Sequence, residues 1–124
     1  MTTTTKVEIG VVEIERNEDE NYVQIAFAED RDDPGQYVIL QRAIEPDEQD
    51  VELGQAGCYV EVFDESNSGY DICRKIVWDG TVLRLTFDDD IVELHLGKAK
   101  YSRKELVKKL TFVAKEVFED QSSG

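Results

Sequence analysis

The sequence has few of the residues that form disulfide bonds or bind metals in small proteins. Of its 124 residues, only two are cysteine and one is histidine. Cys58 and Cys73 are too few for a disulfide framework, and their spacing does not match a C-x-x-C zinc motif. A bridge between them would span a diagonal cross-strand pair of about 7–8 Å, which is long for a disulfide. We therefore expect two reduced, packed thiols.

Long apolar runs are also missing. No stretch approaches the roughly 20 apolar residues that cross a bilayer, which excludes a membrane-spanning helix. The first residues, MTTTTKVEIG, lack the basic and apolar regions of a signal peptide, so we expect a cytoplasmic protein. The length fits one domain over residues 1–124, with disorder expected at 1–5 and 121–124.

Positive charge is scarce in most of the chain. The sequence has 28 acidic and 14 basic residues, a net charge of −14. Residues 1–97 hold 24 acids and 7 bases, whereas residues 98–124 hold 4 acids and 7 bases. Such a field repels nucleic acid and anionic membranes and accelerates encounter with a basic partner. It could also serve solubility alone.

Seven segments have the alternation or the β-branched and aromatic composition of strands. In the first, KVEIGVVEIER, the apolar phase shifts after Gly10, which predicts a β-bulge. Pro34-Gly35 suits the centre of a type II turn, and DESNSG (64–69) reads as another turn. The remaining strands are predicted at 22–28, 36–42, 57–63, 70–78, 81–87 and 91–96.

The segment KIVWDGTVLRLTF is the clearest local signal. Asp79-Gly80 between two β runs predicts a two-residue type I′ hairpin that pairs Trp78 with Thr81. In this register one face is apolar and must be the core face. It carries Ile72, Ile76, Trp78, Leu83, Leu85 and Phe87.

One amphipathic helix is predicted near the C-terminal end. Ser102 and Glu105 match an S-x-x-E capping box. The fold class is therefore mainly β (α+β), with about seven mostly antiparallel strands in a curled sheet or sandwich and this helix packed against it. The apolar stripe of the helix is Leu106, Leu110, Val113 and Val117, widened by Val107, Ala114 and Phe118.

The connection 43–56, AIEPDEQDVELGQA, has no strand period and carries five carboxylates at 45–52. Pro46 could begin one short helical turn, with Asp47 or Glu48 as its cap. Alternatively, the acids could contact a partner. A polar network of Gln41, Arg42 and Asp50, including an arginine–carboxylate bond, could also fix the loop.

Groups that could be activated for catalysis are few. His95 alternates with Leu94 and Leu96, and a structural role is favoured over general-base chemistry. The sequence has no G-x-G-x-x-G or Walker-type loop for a nucleotide. The acidic run DDD at 88–90 is better explained as solvated strand-end carboxylates than as a cation site. We expect no catalytic residue, no metal and no other cofactor.

Residues 37–63, YVILQRAIEPDEQDVELGQAGCYVEVF, resemble the immunity protein 10 family of bacterial polymorphic toxin systems. The similarity rests on LQR at a strand end, the connection DEQDVELG and the strand CYVEV. It continues through SNSGY and the hairpin KIVWDGTVLRLTF, so it covers most of 22–96. Asp71 and Ile72 depart from the glycine-rich pair expected after the tyrosine. Recurrent family residues fall on Gln41, Arg42, Asp47, Glu48, Asp50, Glu52, Leu53, Gly54, Tyr59, Ser68, Gly69 and Tyr70.

This resemblance implies a non-enzymatic protein that binds and neutralises a cognate bacterial toxin. We expect an acidic surface that covers the active or substrate-binding site of a basic toxin domain. The candidate contact residues are Glu45, Asp47, Glu48, Asp50, Glu52, Asp64, Glu65 and Tyr70. The residues expected to shape the fold are Gln41, Arg42, Gly54, Tyr59, Gly69, Asp79 and Gly80.

Two other hypotheses stay open. The protein could be a non-catalytic acidic regulatory or interaction module unrelated to toxins, and a neighbouring toxin gene would distinguish these two functions. The other hypothesis is an enzyme that uses carboxylates or His95, and titration of His95 by NMR would test it. Separately, an edge strand could mediate a homodimer, although no feature of the sequence selects one.

Overall fold

Two five-stranded sheets make up most of the fold. The computed structural model describes residues 2–32 and 35–122, and these residues form ten strands and two helices. In chain order they are β1 (Thr3–Glu8), β2 (Val11–Asn17), β3 (Tyr22–Ala28), β4 (Tyr37–Ala43), α1 (Glu48–Glu52), β5 (Tyr59–Val62), β6 (Asp64–Tyr70), β7 (Lys75–Trp78), β8 (Val82–Thr86), β9 (Asp90–His95), α2 (Arg103–Val113) and β10 (Phe118–Asp120).

Sheet A has the strand order β1-β9-β8-β7-β10, and sheet B has the order β2-β3-β4-β5-β6. Sheet B is a meander in which every neighbouring pair is antiparallel. In sheet A the pairs β1–β9 and β10–β7 are parallel. The mainly β class with a C-terminal helix is therefore confirmed, but the described residues contain ten strands rather than about seven.

The chain crosses from sheet A to sheet B at Gly10. The Ile9 N–H donates to the His95 carbonyl in sheet A at 2.9 Å, and the Gly10 N–H donates to the Ala28 carbonyl in sheet B, also at 2.9 Å. A Cβ on Gly10 would lie 2.3 Å from the Glu29 carbonyl oxygen, so only glycine fits this crossing. The predicted β-bulge is therefore wrong, because the shift in apolar phase marks a change of sheet.

The core lies between the inward faces of the two sheets. Ile25 and Phe27 on β3 and Ile76 and Trp78 on β7 are at most 1% exposed. Burial of each such side chain stabilises the fold by about 1.5–3 kcal/mol. α2 packs on β3 and β4 of sheet B and on β10 of sheet A, so it spans both sheets. Its buried stripe is Leu106, Leu110 and Val113.

Both cysteines belong to this core. Cys58 and Cys73 are each 4% exposed and both are free thiols, which confirms the prediction of reduced, packed cysteines. Burial raises the pKa of Cys58 to about 12 and that of Cys73 to about 11. The thiols therefore stay protonated and unreactive at neutral pH.

α2 is shorter than its apolar stripe. The Ser102 hydroxyl accepts the Glu105 N–H at 3.2 Å and caps the helix, which confirms one bond of the predicted capping box. The Glu105 carboxylate instead pairs with Lys109 at 3.4 Å. The helix ends at Val113 with Ala114 as its C-cap, so the helical prediction is wrong for Val117 and Phe118. The Val117 carbonyl instead accepts the Ile76 N–H at 2.9 Å, and β10 then pairs with β7. Hydrogen bonding to the open edge of β7 is therefore favoured over continuation of the helix.

The β7–β8 hairpin has a different register from the one predicted. Trp78 pairs with Leu83, so the two central turn residues are Gly80 and Thr81, and Gly80 has φ 107°. The Asp79 carboxylate accepts the N–H groups of Thr81 and Val82 at 2.9 and 2.7 Å, which favours this turn. A two-residue shift preserves the facing of each side chain. Ile76, Trp78, Leu83 and Leu85 are therefore buried as predicted, whereas Ile72 and Phe87 are partly buried.

The ends of the chain are more ordered than the sequence predicts. The expected disorder at 1–5 is wrong for residues 3–5, which pair with β9 as part of β1. The expected disorder at 121–124 is wrong for Gln121, whose N–H donates to the Trp78 carbonyl at 2.7 Å. The predicted turn at 64–69 is also wrong, because these residues belong to β6. The predicted turn at Pro34-Gly35 involves Pro34, which lies outside the described residues, and Gly35 has φ 56°.

No helix within the described ranges is long and apolar enough to cross a membrane.

Candidate partner-binding surface

The acidic connection between β4 and β5 folds into the short helix α1. The Asp47 carboxylate accepts the Asp50 N–H at 2.8 Å, and the Asp50 carboxylate accepts the Asp47 N–H at 3.1 Å. This reciprocal capping box makes Asp47 the N-cap, so Pro46 precedes the helix rather than beginning it. Gly54, with φ 71°, follows the C-cap residue Leu53. Two of the five acids therefore hold the local structure.

The other three acids leave their carboxylates available. Among the described residues, the side chains of Glu45, Glu48 and Glu52 make no hydrogen bond or ion pair. The Glu45 backbone is nevertheless fixed, because its N–H and carbonyl bond the Asn21 side chain at 2.9 and 2.8 Å. This places free negative charge on a rigidly attached connection.

Arg42 does not fix this connection. Its guanidinium bonds both carboxylate oxygens of Glu116 at 2.6 and 2.7 Å and the Val113 carbonyl at 3.3 Å. The interpretation that Arg42 holds the loop is therefore wrong, since the pair anchors the end of α2 to sheet B. The bond from Arg42 holds the pKa of Glu116 below its ordinary value. Nothing in the sequence near Glu116 marks this partner.

The eight predicted contact residues do not form one cluster. Asp50 and Tyr70 line the same depression, of about 170 Å³, which separates α1 from sheet B. Asp64 and Glu65 lie at the opposite end of β6 from Tyr70. Six residue steps separate Asp64 from Tyr70, which corresponds to roughly 20 Å along the strand. Asp64 accepts the Ser66 N–H at 2.9 Å, and this backbone bond lowers the pKa of Asp64.

The outward side of sheet B carries four of the five tyrosines. Strand pairing aligns Tyr59 with Tyr70, and their rings are 5.4 Å apart. Tyr22 and Tyr37 occupy outward positions at opposite ends of this side, on β3 and β4. Only Tyr59 and Tyr70 are among the predicted site residues. The alternation in YVQIAFA and YVILQRA places Tyr22 and Tyr37 on the same side and is the signal that could have identified them. We call the outward residues of β2–β6 the tyrosine face.

Carboxylates hold the tyrosine hydroxyls of this face. Tyr37 donates to Glu61 Oε2 at 2.6 Å, and Tyr59 donates to Glu61 Oε1 at 2.7 Å. Tyr22 donates to Glu15 on the neighbouring strand. The hydrogen bond to Glu61 raises the pKa of Tyr37 to about 12. The rings of Tyr22, Tyr37 and Tyr59 are therefore held in place before any partner binds.

The shape of the tyrosine face offers two shallow depressions. One, of about 360 Å³, is lined by Ala26, Tyr37, Ile39 and Glu61 among others. The other is the depression of about 170 Å³ beside α1. Three large apolar side chains are exposed in the described part of the chain: Val51, Leu53 and Tyr70, at 63%, 61% and 36%. Val51 belongs to α1, Leu53 is its C-cap residue, and Tyr70 belongs to the tyrosine face.

His95 lies on β9, on the outward side of sheet A next to Glu93. Its Nε2 is enclosed without a hydrogen-bond partner in the described residues and is 3.7 Å from Glu93 Oε1, whereas Arg84 bonds the other oxygen of this carboxylate, Oε2. One of the three acids at 88–90 already has a partner, because the Asp88 carboxylate pairs with the Arg74 guanidinium at 2.8 Å. Over residues 2–32 and 35–122, no cluster of three or more His, Cys, Asp or Glu side chains could hold a metal ion.

Comparison with known proteins gives one result. Searches of curated proteins and of solved structures find no significant match. The family model described as "Immunity protein 10" matches residues 8–102, which include sheet B, α1 and most of sheet A. The resemblance seen in the sequence is therefore confirmed, and the chain belongs to the immunity protein 10 family.

Proposed function

We propose that this protein binds and neutralises a cognate bacterial toxin domain in the cytoplasm and catalyses no reaction itself. Membership of the immunity protein 10 family carries this proposal, because such a family implies a toxin protein as partner. An inhibitor of this kind needs a stable surface that fits the toxin, and it needs no activated side chain.

Charge supports a basic toxin domain. The net charge of −14 raises the rate of encounter with a positively charged surface. Glu45, Glu48 and Glu52 present carboxylates that need no rearrangement to pair with lysine or arginine. Asp47 and Asp50 contribute indirectly, since they hold the helix that carries these acids.

The direct test uses the toxin domain encoded beside this gene. Cells that produce the toxin domain should survive when this protein is co-produced. The purified proteins should form a complex of nanomolar or tighter affinity. A toxin that stays fully active beside an equimolar amount of this protein would refute the proposed function.

Charge reversal tests the role of the acidic connection. Glu48→Lys with Glu52→Lys should slow association and reduce its dependence on salt, because the steering charge is removed. Glu8→Lys with Asp89→Lys changes the net charge equally at exposed positions of sheet A and the β8–β9 turn. If both pairs slow association equally, only the net charge matters and α1 is not the contact.

A further inference from the structure

We infer that the tyrosine face is the principal docking surface and that its occupant is a basic protein surface presenting arginine or lysine side chains. This inference rests on the proposed function and identifies a site for it. It also moves the centre of the contact from the acidic connection to the open side of sheet B.

The composition of this face is that of a protein-binding surface. Tyrosine gives a large, rigid and amphipathic contact with only two side-chain torsions to restrict, so it is enriched at interfaces. Tyr22, Tyr37, Tyr59 and Tyr70 surround smaller side chains, such as Ala26 and Ile39, in the centre of the sheet. α2 covers the inward side of β3 and β4, so within residues 2–32 and 35–122 only the short helix α1 lies beside the outward side.

The charge of this face differs from that of sheet A. The paired outward positions of β2–β6 carry three acids, Glu13, Glu15 and Glu61, and no lysine or arginine. Arg31, in the loop after β3, makes one long ion pair with Glu13 at 3.9 Å, so the face keeps a net negative charge. The outward positions of sheet A balance three acids with three bases, and ion pairs such as Arg84–Glu93 (2.6 Å) and Lys75–Glu119 (3.2 Å) neutralise them. The six residues are Glu8, Glu93, Glu119, Lys6, Lys75 and Arg84.

Carboxylates prepare this face for a cationic partner. Glu61 accepts one bond on each oxygen from Tyr37 and Tyr59. A carboxylate has about four lone-pair positions, so Glu61 can accept an arginine as well. Cations also bind the faces of tyrosine rings. Fixed rings lose little side-chain entropy on binding, which favours affinity.

The size of the face fits the centre of an interface. Strands of seven residues at about 3.3 Å and five strands about 4.8 Å apart give roughly 20 Å by 20 Å. This is about half of the ~800 Å² that each partner contributes to a standard interface. α1, with Val51 and Leu53 exposed beside the Tyr70 end, can supply further area.

A second copy of this chain is a poor occupant. Face-to-face pairing would bring Glu13, Glu15 and Glu61 against the same acids of the other copy, and the one base beside the larger depression, Arg31, is already next to Glu13 at 3.9 Å. Like charges across an interface oppose association. The occupant is therefore a different protein of opposite charge.

The experiment compares matched outward isoleucines on the two sheets. Ile39 lies on β4 in the tyrosine face, and Ile91 lies on β9 on the outward side of sheet A. Ile39→Arg should weaken binding of the cognate toxin domain at least about 30-fold, as expected for a central interface residue. Ile91→Arg should change it less than about threefold, and wild-type affinity should fall as salt rises. Circular dichroism and thermal melting verify that both variants fold.

A footprinting measurement needs no variant. Hydroxyl radicals oxidise exposed aromatic side chains, so the complex should protect Tyr22, Tyr37, Tyr59 and Tyr70. Tyr101 packs against Trp78 away from this face and serves as the internal control. If the proposed function is wrong, the wild-type protein itself will fail to bind the toxin domain, and this result is distinct from an effect of Ile39→Arg alone.

Three results would each overturn a different part of the proposals. Strong binding by Ile39→Arg together with unprotected tyrosines would overturn the docking surface and leave the proposed function intact. Affinity that is independent of salt would overturn the basic occupant. Absence of wild-type binding would overturn both the proposed function and this inference.

Discussion

Arg42 and Glu116 form a two-pronged ion pair across 74 positions of the chain, with nitrogen–oxygen distances of 2.6 and 2.7 Å. The Arg42 side chain is only 10% exposed, whereas that of Glu116 is 52% exposed. The pair joins the central strand β4 to the segment between α2 and β10. It therefore ties the C-terminal segment to sheet B, on the inward side of the strand that carries Tyr37 and Ile39 outward.

Glu116→Gln should lower the free energy of unfolding by about 1–2 kcal/mol, because a mostly buried guanidinium loses its charged acceptor. Urea denaturation measures this change. Glu119→Gln is the control: its pair with Lys75 is exposed on both sides and should contribute at most about 1 kcal/mol. Equal effects of the two substitutions would contradict a structural role for Arg42–Glu116.

The Arg42–Glu116 pair should make the free energy of unfolding depend on pH in the acidic range. Arg42 lowers the pKa of Glu116 below its ordinary 4.5 in the folded protein. A lowered pKa contributes stability that is present above the unfolded-state pKa and is lost as the pH falls through the folded-state pKa. The difference in unfolding free energy between wild type and Glu116→Gln should therefore be constant above pH 4.5 and shrink below it. A difference that grows in acid would contradict this assignment.

Local patterns in the sequence predict much of the fold. Alternation in YVQIAFA and the apolar run in QYVILQR identify β3 and β4, and the even shift in the β7–β8 register leaves the buried side unchanged. The errors come from distant partners. The phase change at Gly10 looks like a bulge unless the two sheets are known, and α2 stops because Val117 meets the open edge of β7.

The candidate site was predicted only in part, for the same physical reason. The acids at 45–52 are visible as a run, but the capping bond between Asp47 and Asp50 needs a helix to bring them together. The tyrosines are 11 to 48 positions apart in the sequence. Only the meander of sheet B brings them to one side, and the sequence does not specify which strands are neighbours.

Gly10→Ala should destabilise the protein strongly, because the new Cβ would lie 2.3 Å from the Glu29 carbonyl oxygen. The backbone would have to move where the chain changes sheets, and we expect a loss of about 2–4 kcal/mol or failure to fold. Gly97→Ala is the matched control, since the nearest atom to its Cβ would be Thr81 Cγ2 at 3.8 Å. Thermal unfolding of both variants tests the crossing, and equal melting temperatures would contradict it.

Tyr37 should ionise only at high pH. Its hydrogen bond to Glu61 raises the pKa of Tyr37 to about 12. A raised pKa favours the folded state below the unfolded-state value, so this contribution is lost as the pH rises from 10 towards 12. Glu61→Gln removes the negative acceptor and should move the pKa of Tyr37 back towards 10, as followed by NMR of the labelled ring. An unchanged titration would show that Glu61 does not hold this tyrosine in solution.

Asp50→Ala separates the two roles of the acidic connection. The substitution removes the bond to the Asp47 N–H and should destabilise α1 locally by about 1 kcal/mol. Because α1 buries no side chain, global unfolding should change by less than about 0.5 kcal/mol. Amide exchange should accelerate at Val51 and Leu53, whose N–H groups bond the Asp47 and Gln49 carbonyls.

Glu48→Ala provides the comparison, since this exposed acid has no bond within the described residues. It should leave amide exchange in α1 unchanged and slow toxin association through the loss of one charge. If Asp50→Ala accelerates exchange and weakens binding while the protein stays folded, the capping pair acts by holding α1 in place. If it weakens binding without faster exchange, Asp50 contacts the toxin itself, and the capping bond is not what the partner requires.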